Sequence, residues 1–263
     1  MNKALSLAKS QKSVDFLKAF IRNCFSKAYK LLRPSIIVYT EVTTDCNNKC
    51  FFCAHQRVNR SGFISGRVKD SVVELISSQP QTKFLVYFHL VGEPLIYEGL
   101  EDYIKRLSLP NVELWVCTNG KFLTSERLNK LHKAGLRNVW FSYFYADKDD
   151  YKKYIQVDSF PEVKDNLYNL LSNNILFNRI KIVTFSKSCK ELENKITGKR
   201  NVILQRERNI KPWIWNGLAF NKYICVSING DVCFDWKDYN FESSIGKIYD
   251  LEPSSIIKRY KSF

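Results

Sequence analysis

Residues 40–55 read TEVTTDCNNKCFFCAH, directly after a short β-branched and aromatic run, Ile36–Val42. Cys46, Cys50 and Cys53 stand at C-x3-C-x2-C spacing on the loop that this strand enters. Three thiolates on one loop can hold three irons of a [4Fe–4S] cube and leave the fourth iron open to a small ligand. A structural zinc site asks instead for a fourth Cys or His, normally as paired ligands with a distant partner pair, and His55 is the side chain that would close one.

Outward from that loop the chain alternates strand and helix patterns. Strand runs are Ile36–Val42, Phe84–Leu90, Val112–Cys117, Val139–Tyr145, Arg179–Phe185 and Val202–Gln205. Between them Val68, Val72, Leu75 and Ile76 mark one helical face, and Leu100, Ile104 and Leu107 a second. A third helix opens near Thr124 and Ser125 and ends at Gly135, and a fourth follows Pro161 through Val163, Leu167, Leu170 and Leu171. Six strands separated by helices predict an α/β fold with a parallel sheet of βα units, open or part of a barrel. Such sheets carry their chemistry in the loops at the C-terminal strand ends. The cysteine loop follows the first strand, Val91-Gly92-Glu93-Pro94 the second and Cys117-Thr118-Asn119-Gly120 the third, while Ser142 falls at the fourth. After Lys211 the texture changes: Trp213, Trp215 and a run from Tyr223 to Trp236 surround Asn229-Gly230, a two-residue hairpin signal. A last helix, Pro253 to Tyr260, closes the chain.

In series, these strand-end motifs resemble the radical S-adenosylmethionine (SAM) superfamily. Its pattern is CxxxCxΦC after the first barrel strand, Φ being aromatic, and Phe52 fills that position. Glu41, Thr43 and Asn47 are similar to the lead-in of its peptide- and sugar-modifying members. Gly92, Glu93 and Pro94 match the GGEP motif, whose backbone groups bind the methionine amino group of SAM, with Val91 standing where the family has its first glycine. Asn119 matches the family's TNG, and Ser142 a polar position near the SAM carboxylate or ribose. The resemblance implies a partial (β/α)6 barrel over residues 35–210. It also implies one [4Fe–4S] cluster on Cys46, Cys50 and Cys53, with SAM cleaved to methionine and a 5′-deoxyadenosyl radical that abstracts hydrogen from substrate carbon.

Residues 211–263 resemble the twitch, or short SPASM, extension of such enzymes, with Gly230, Cys233, Asp235 and Ile245-Gly246-Lys247-Ile248 in its pattern. Relatives bind an auxiliary cluster there through about four cysteines. Here only Cys225 and Cys233 are near, so the second cluster is expected to be lost. The expected substrate is a sugar or nucleotide-linked sugar, because no separate leader-binding domain precedes Ile36. A ribosomal peptide is the alternative, and a non-catalytic iron–sulfur or zinc protein the contrasting class. A flavodoxin or ferredoxin is the electron donor the resemblance implies. Arg206, Glu207 and Arg208 follow the sixth strand, at the mouth where a substrate would lie, and Arg206 is a candidate to hold an anionic group or assist proton removal. Cys225 is a candidate hydrogen-atom donor for an epimerising reaction.

Composition sets the remaining bounds. The 263 residues hold 41 Lys and Arg against 26 Asp and Glu, a formal charge of +15. With 45% hydrophobic and 14% aromatic residues, wholesale disorder and a fibrous repeat are excluded. No uncharged apolar run approaches the roughly 18 residues of a membrane span, and no signal-peptide pattern opens the chain. A cytoplasmic location is therefore expected, in which eight cysteines serve as metal ligands or buried thiols rather than disulfides. Residues 1–33 carry eight basic side chains against Asp15 alone, with Leu17, Phe20, Ile21, Cys24, Ala28, Leu31 and Leu32 at helical spacing. Residues 1–34 thus read as a basic amphipathic helix, either packed on the barrel or touching an anionic membrane surface. No nucleic-acid-binding motif is present.

Overall fold

A computed structural model describes residues 35–207 and 223–262. The basic segment 1–34 and the residues Arg208, Trp213 and Trp215 lie outside the described residues.

Six parallel strands form the body: β1 (Ile36–Thr40), β2 (Phe84–Phe88), β3 (Val112–Thr118), β4 (Asn138–Ser142), β5 (Arg179–Thr184) and β6 (Val202–Arg206). They lie side by side in sequential order, and β7 (Tyr223–Val226) and β8 (Val232–Cys233) extend the sheet from the β1 edge. Each crossover between neighbouring parallel strands is expected to be right-handed. A sequential order then puts every helix on one face and coils the sheet into the partial barrel predicted from the sequence. The strands make this visible residue by residue. In β1 Ile36, Val38 and Thr40 are buried while Ile37 and Tyr39 are half-buried, and β2 repeats the pattern with Phe84, Val86 and Phe88 buried. The buried set packs under the helices and the half-buried set lines the concave side.

The convex core joins Val38, Val86, Val116, Phe141 and Ile182 to helical residues such as Val72, Leu75, Ile104, Leu131 and Leu167. Helix α1 (Gly66–Ser77) is capped by Ser65, whose hydroxyl accepts the Val68 N–H. Helix α2 (Leu100–Leu107) buries Leu100, Tyr103, Ile104 and Leu107, the i, i+3, i+4, i+7 stripe of an amphipathic helix. Helix α3 (Ser125–Ala134) starts on the Thr124 cap and stops at Gly135, whose φ of +113° a side chain would resist.

Helices α4 (Lys148–Ile155) and α6 (Lys190–Ile196), on either side of α5 (Phe160–Ser172), were not foreseen. They bury only Tyr151 and Ile155, and only Leu192, so their apolar period is too sparse to read. Most strands also stop short of the apolar runs. β1, β2, β4 and β5 end at Thr40, Phe88, Ser142 and Thr184, because the residues beyond turn into the functional loops.

The C-terminal hairpin differs from expectation in its turn. Val226 pairs with Val232, and the Ser227 N–H donates to the Asp231 carbonyl at 3.0 Å, leaving three residues in the loop. Gly230, at φ +85°, takes the left-handed position that closes such a turn. Because β7 pairs parallel with β1, residues 36–263 group as one unit, and the expected division at residue 211 falls within one continuous sheet. Helix α7 (Pro253–Ser262) ends the described chain. Among the described residues no helix is long and apolar enough to cross a membrane.

Candidate active site

The cysteine loop is held from three sides. Toward residue 62, the Thr44 N–H and the Thr43 hydroxyl both donate to the Gly62 carbonyl at 3.0 Å, and the Gly62 N–H donates to Thr44 Oγ1 at 2.9 Å. Toward the end of α4, the Lys49 N–H reaches the Ile155 carbonyl (3.1 Å) and the Phe51 N–H that of Tyr154 (3.3 Å). Between Cys50 and Cys53, Phe52 packs edge-on against Phe144 and Phe185, at 5.3 and 5.6 Å between ring centroids. The aromatic position of the motif is thus an anchor that seats the loop on the ends of β4 and β5.

The three thiols lie half-buried on this loop. Burial pushes Cys46 up to about 12, with the Glu93 carboxyl adding to the effect. Burial raises Cys50 too, helped by Cys53 and Cys46, and raises Cys53. The thiols therefore sit within electrostatic reach of one another, where a bound cation would reverse their preference and hold them as thiolates. Backbone N–H groups already point at two sulfurs: Asn48 at Cys46 Sγ (3.5 Å) and His55 at Cys53 Sγ (3.4 Å). Among the described residues no three His, Cys, Asp or Glu side chains gather as a single ion requires. The donor set fits a cube that spreads its three ligands over a loop.

Glu93 ties the second strand end to the third. Its Oε1 accepts the Leu95 N–H (3.1 Å) and the Thr118 hydroxyl (2.7 Å), and its Oε2 accepts the Asn119 N–H (2.7 Å). Burial raises its carboxyl to about 7 against these three donors, which favour the ionised form. Asn119 carries the connection onward: its amide donates to Asn47 Oδ1 at 2.9 Å and lies 3.9 Å from Cys46 Sγ. Gly92 fits close under the cysteine loop, where a Cβ would stand 2.1 Å from the Thr43 carbonyl oxygen. The Glu93 N–H then donates to the Asp45 carbonyl at 2.8 Å. Gly92, Glu93, Asn119 and Cys46, far apart in sequence, are one bonded assembly. Pro94 starts the short helical turn that follows, and Ser142 is the last residue of β4, half-buried.

The two catalytic candidates lie elsewhere. Arg206 pairs in register with Thr184, which faces the helices, and its guanidinium binds Glu193 of α6 and approaches Cys189 Sγ at 3.8 Å. It is not brought to the cysteine loop. Cys225 is fully buried opposite Cys233, with Phe241, Tyr39, Leu90, Tyr223 and Trp236 around the two thiols. Burial, followed by contact with Cys233, raises its thiol well above the ordinary range.

Sequence reading missed the concave face. Tyr39 stacks on Tyr87 at 5.1 Å, Tyr87 on Trp115 at 5.7 Å, and Lys181 Nζ lies 3.6 Å from the Trp140 ring centroid. Part of the signal was there as parity: in VELWVCT Glu113, Trp115 and Cys117 alternate with Val112, Leu114 and Val116, and Lys181 stands between Ile180 and Ile182.

Comparison with known proteins agrees with this geometry. Over 224 residues the chain is 22% identical to the S-adenosyl-L-methionine-dependent 2-deoxy-scyllo-inosamine dehydrogenase of Niallia circulans, covering 84% of this chain and 81% of that one. It is 24% identical over 147 residues to a GTP 3′,8-cyclase of Clostridium perfringens, of which it covers 44%. Among solved structures, BtrN in complex with AdoMet and 2-DOIA superposes with a TM-score of 0.58 at 18% identity, over 88% of this chain and 85% of that one. The peptide- and AdoMet-bound anSMEcpe gives 0.63 at 14% identity, over 86% and 80%. The sequence profile of the radical SAM superfamily matches residues 40–185, more than half of the chain and the whole span from the cysteine loop to the end of β5. With the three-cysteine loop and the Glu93 assembly at its strand ends, the chain belongs to the radical SAM superfamily.

Proposed function

We propose that this protein is an enzyme that reductively cleaves SAM and abstracts hydrogen from a carbon of a sugar-type substrate, such as a cyclitol or a nucleotide-linked sugar. The observation that carries the reading is the hydrogen-bonded path from Glu93 through Asn119 to Cys46, which fixes the SAM-binding motifs against the cluster thiols. Members of the superfamily use a [4Fe–4S] cluster and SAM, which supply methionine and a 5′-deoxyadenosyl radical once an electron arrives, here from a flavodoxin or ferredoxin. Cys46, Cys50 and Cys53 are the residues that would hold the cluster. Gly92 keeps the backbone bare for the methionine end of SAM, and Asn119 and Ser142 stand at the two next strand ends to orient the nucleoside end. Phe52 closes the loop with aromatic packing that excludes water.

The sugar-type reading is supported by the dehydrogenase from Niallia circulans, which matches along most of both chains. The C-terminal extension is read as twitch-like without its cluster, because Cys225 and Cys233 are the only cysteines after Cys189. With no second cluster to take an electron from a substrate radical, epimerisation gains on dehydrogenation.

Anaerobically reconstituted protein given dithionite and SAM should form 5′-deoxyadenosine, and the Cys46/Cys50/Cys53 triple Ala variant should form none. Deuterium should pass from a ring-deuterated cyclitol into that product. No 5′-deoxyadenosine from the iron-loaded wild type would end this reading. Deuterium transfer from a peptide rather than a ring compound would move the protein to the peptide-modifying class.

A further inference from the structure

The concave side of the barrel carries charged groups that neither the cysteine loop nor the Glu93 assembly uses. Ladder pairing sets Cys117 beside Trp140 and Trp140 beside Lys181 in one row across β3, β4 and β5. Ser142, Val183 and Gln205 share that face one step nearer the C-terminal ends. At about 3.3 Å per residue, Lys181 lies roughly 7 Å below the level of Ser142, within a ring's reach of the strand-end loops. Glu207 follows just beyond the end of β6, and its carboxylate accepts from the Gln205 amide. Trp140, Lys181, Gln205 and Glu207 are all half-buried, whereas Cys117 and Val183 on the same face are buried.

A lysine here is expensive for the fold. The neighbouring convex positions Ile180 and Ile182 are apolar and fully exclude water, as residues of a covered parallel sheet do. Lys181 instead keeps an ammonium over the Trp140 ring, and burial lowers it to about 8 while Cys117 and Glu207 favour its charged form. Strongly perturbed groups beside a specific charge partner in a cleft concentrate at sites that bind or react. The pair is of opposite sign, Lys181 on β5 and Glu207 just beyond the end of the adjacent β6. A purely anionic ligand group such as a phosphate would have to place its charge beside the Glu207 carboxylate, whereas a ring with both a hydroxyl and an ammonium group matches both partners.

We propose that Lys181 and Glu207 form the substrate subsite of this barrel and select a cyclic polyol that carries an amine. Lys181 donates to a ring oxygen, and Glu207 accepts from the ammonium group. Trp140 holds the lysine in place from beneath. The inference rests on the sugar-type reading above and narrows it to amino sugars and aminocyclitols.

The test is equilibrium binding to the iron-loaded protein with S-adenosylhomocysteine present, using 2-deoxy-scyllo-inosamine and its N-acetylated form as probes. The wild type should bind the free amine at least about tenfold more tightly than the acetylated form, the loss expected for one charge-assisted hydrogen bond. Glu207→Gln should abolish that preference, and Lys181→Met should weaken both probes about tenfold or more, with Lys181→Arg restoring part of the loss. Equal binding of the two probes to the wild type, or variants that bind like the wild type, would overturn the subsite. Because the wild-type preference needs no variant, a substitution that fails to fold leaves the test intact. SAM cleavage without amine preference would defeat this inference alone, whereas absence of SAM cleavage would defeat the radical reading beneath it.

Discussion

Glu41 and Arg60 meet in a two-pronged ion pair, Nε to Oε2 and Nη2 to Oε1, both at 2.7 Å. The side chains are 0% and 5% exposed. Glu41 also accepts the Ile228 N–H at 3.2 Å, and the Arg60 guanidinium donates to the Tyr239 carbonyl and lies 4.9 Å from the Phe241 ring centroid. One pair thereby ties the end of β1, the loop beyond the cysteines and the C-terminal extension together. Removing one partner leaves an uncompensated buried charge, a loss of about 3–5 kcal/mol. Arg60→Met should lower the unfolding free energy by that amount in anaerobic urea denaturation, and a loss under about 1 kcal/mol would show that the pair holds little. At this scale the sequence exposed Cys46, Cys50, Cys53, Gly92, Glu93 and Asn119, because each stands at fixed spacing or at a strand end. It placed Glu207 after the sixth strand but did not expose Lys181 or the outward aim of Arg206. Which face a strand residue takes is decided by ladder register, and a covered parallel strand reads as one apolar run.

The elements show where local pattern sufficed. β1 to β6 and the helices α1, α2, α3 and α5 were legible from period and caps, while α4 and α6 rest on too few apolar residues to be read. The loop after β2 passes close under the loop after β1 at Gly92. A methyl group there would press on the Thr43 carbonyl at 2.1 Å and on that of Asp45 at 3.0 Å, both backbone atoms that cannot swing aside. Gly92→Ala should therefore displace the cysteine loop from the β2 end while the sheet remains. We expect SAM affinity to fall at least about tenfold, as when near-attack geometry is lost, with far-UV circular dichroism unchanged. Wild-type SAM affinity in that variant would mean that the two loops do not cooperate in binding.

For the whole molecule, the eight-stranded sheet makes the C-terminal extension part of the barrel rather than an appended module. The hairpin of β7 and β8 pairs with β1, the strand that delivers the cysteine loop, and the Glu41–Arg60 pair staples the same junction. Buried packing and an ion pair hold this junction, and Cys225 and Cys233 face each other in an apolar pocket. The central claim is one cluster, held by Cys46, Cys50 and Cys53. Iron quantitation with Mössbauer spectra of the wild type and the triple Ala variant tests it directly. The account predicts about four irons per wild-type chain in a single [4Fe–4S] signal, and no cluster signal in the variant. About eight irons, or a [4Fe–4S] signal that survives the three substitutions, would contradict it.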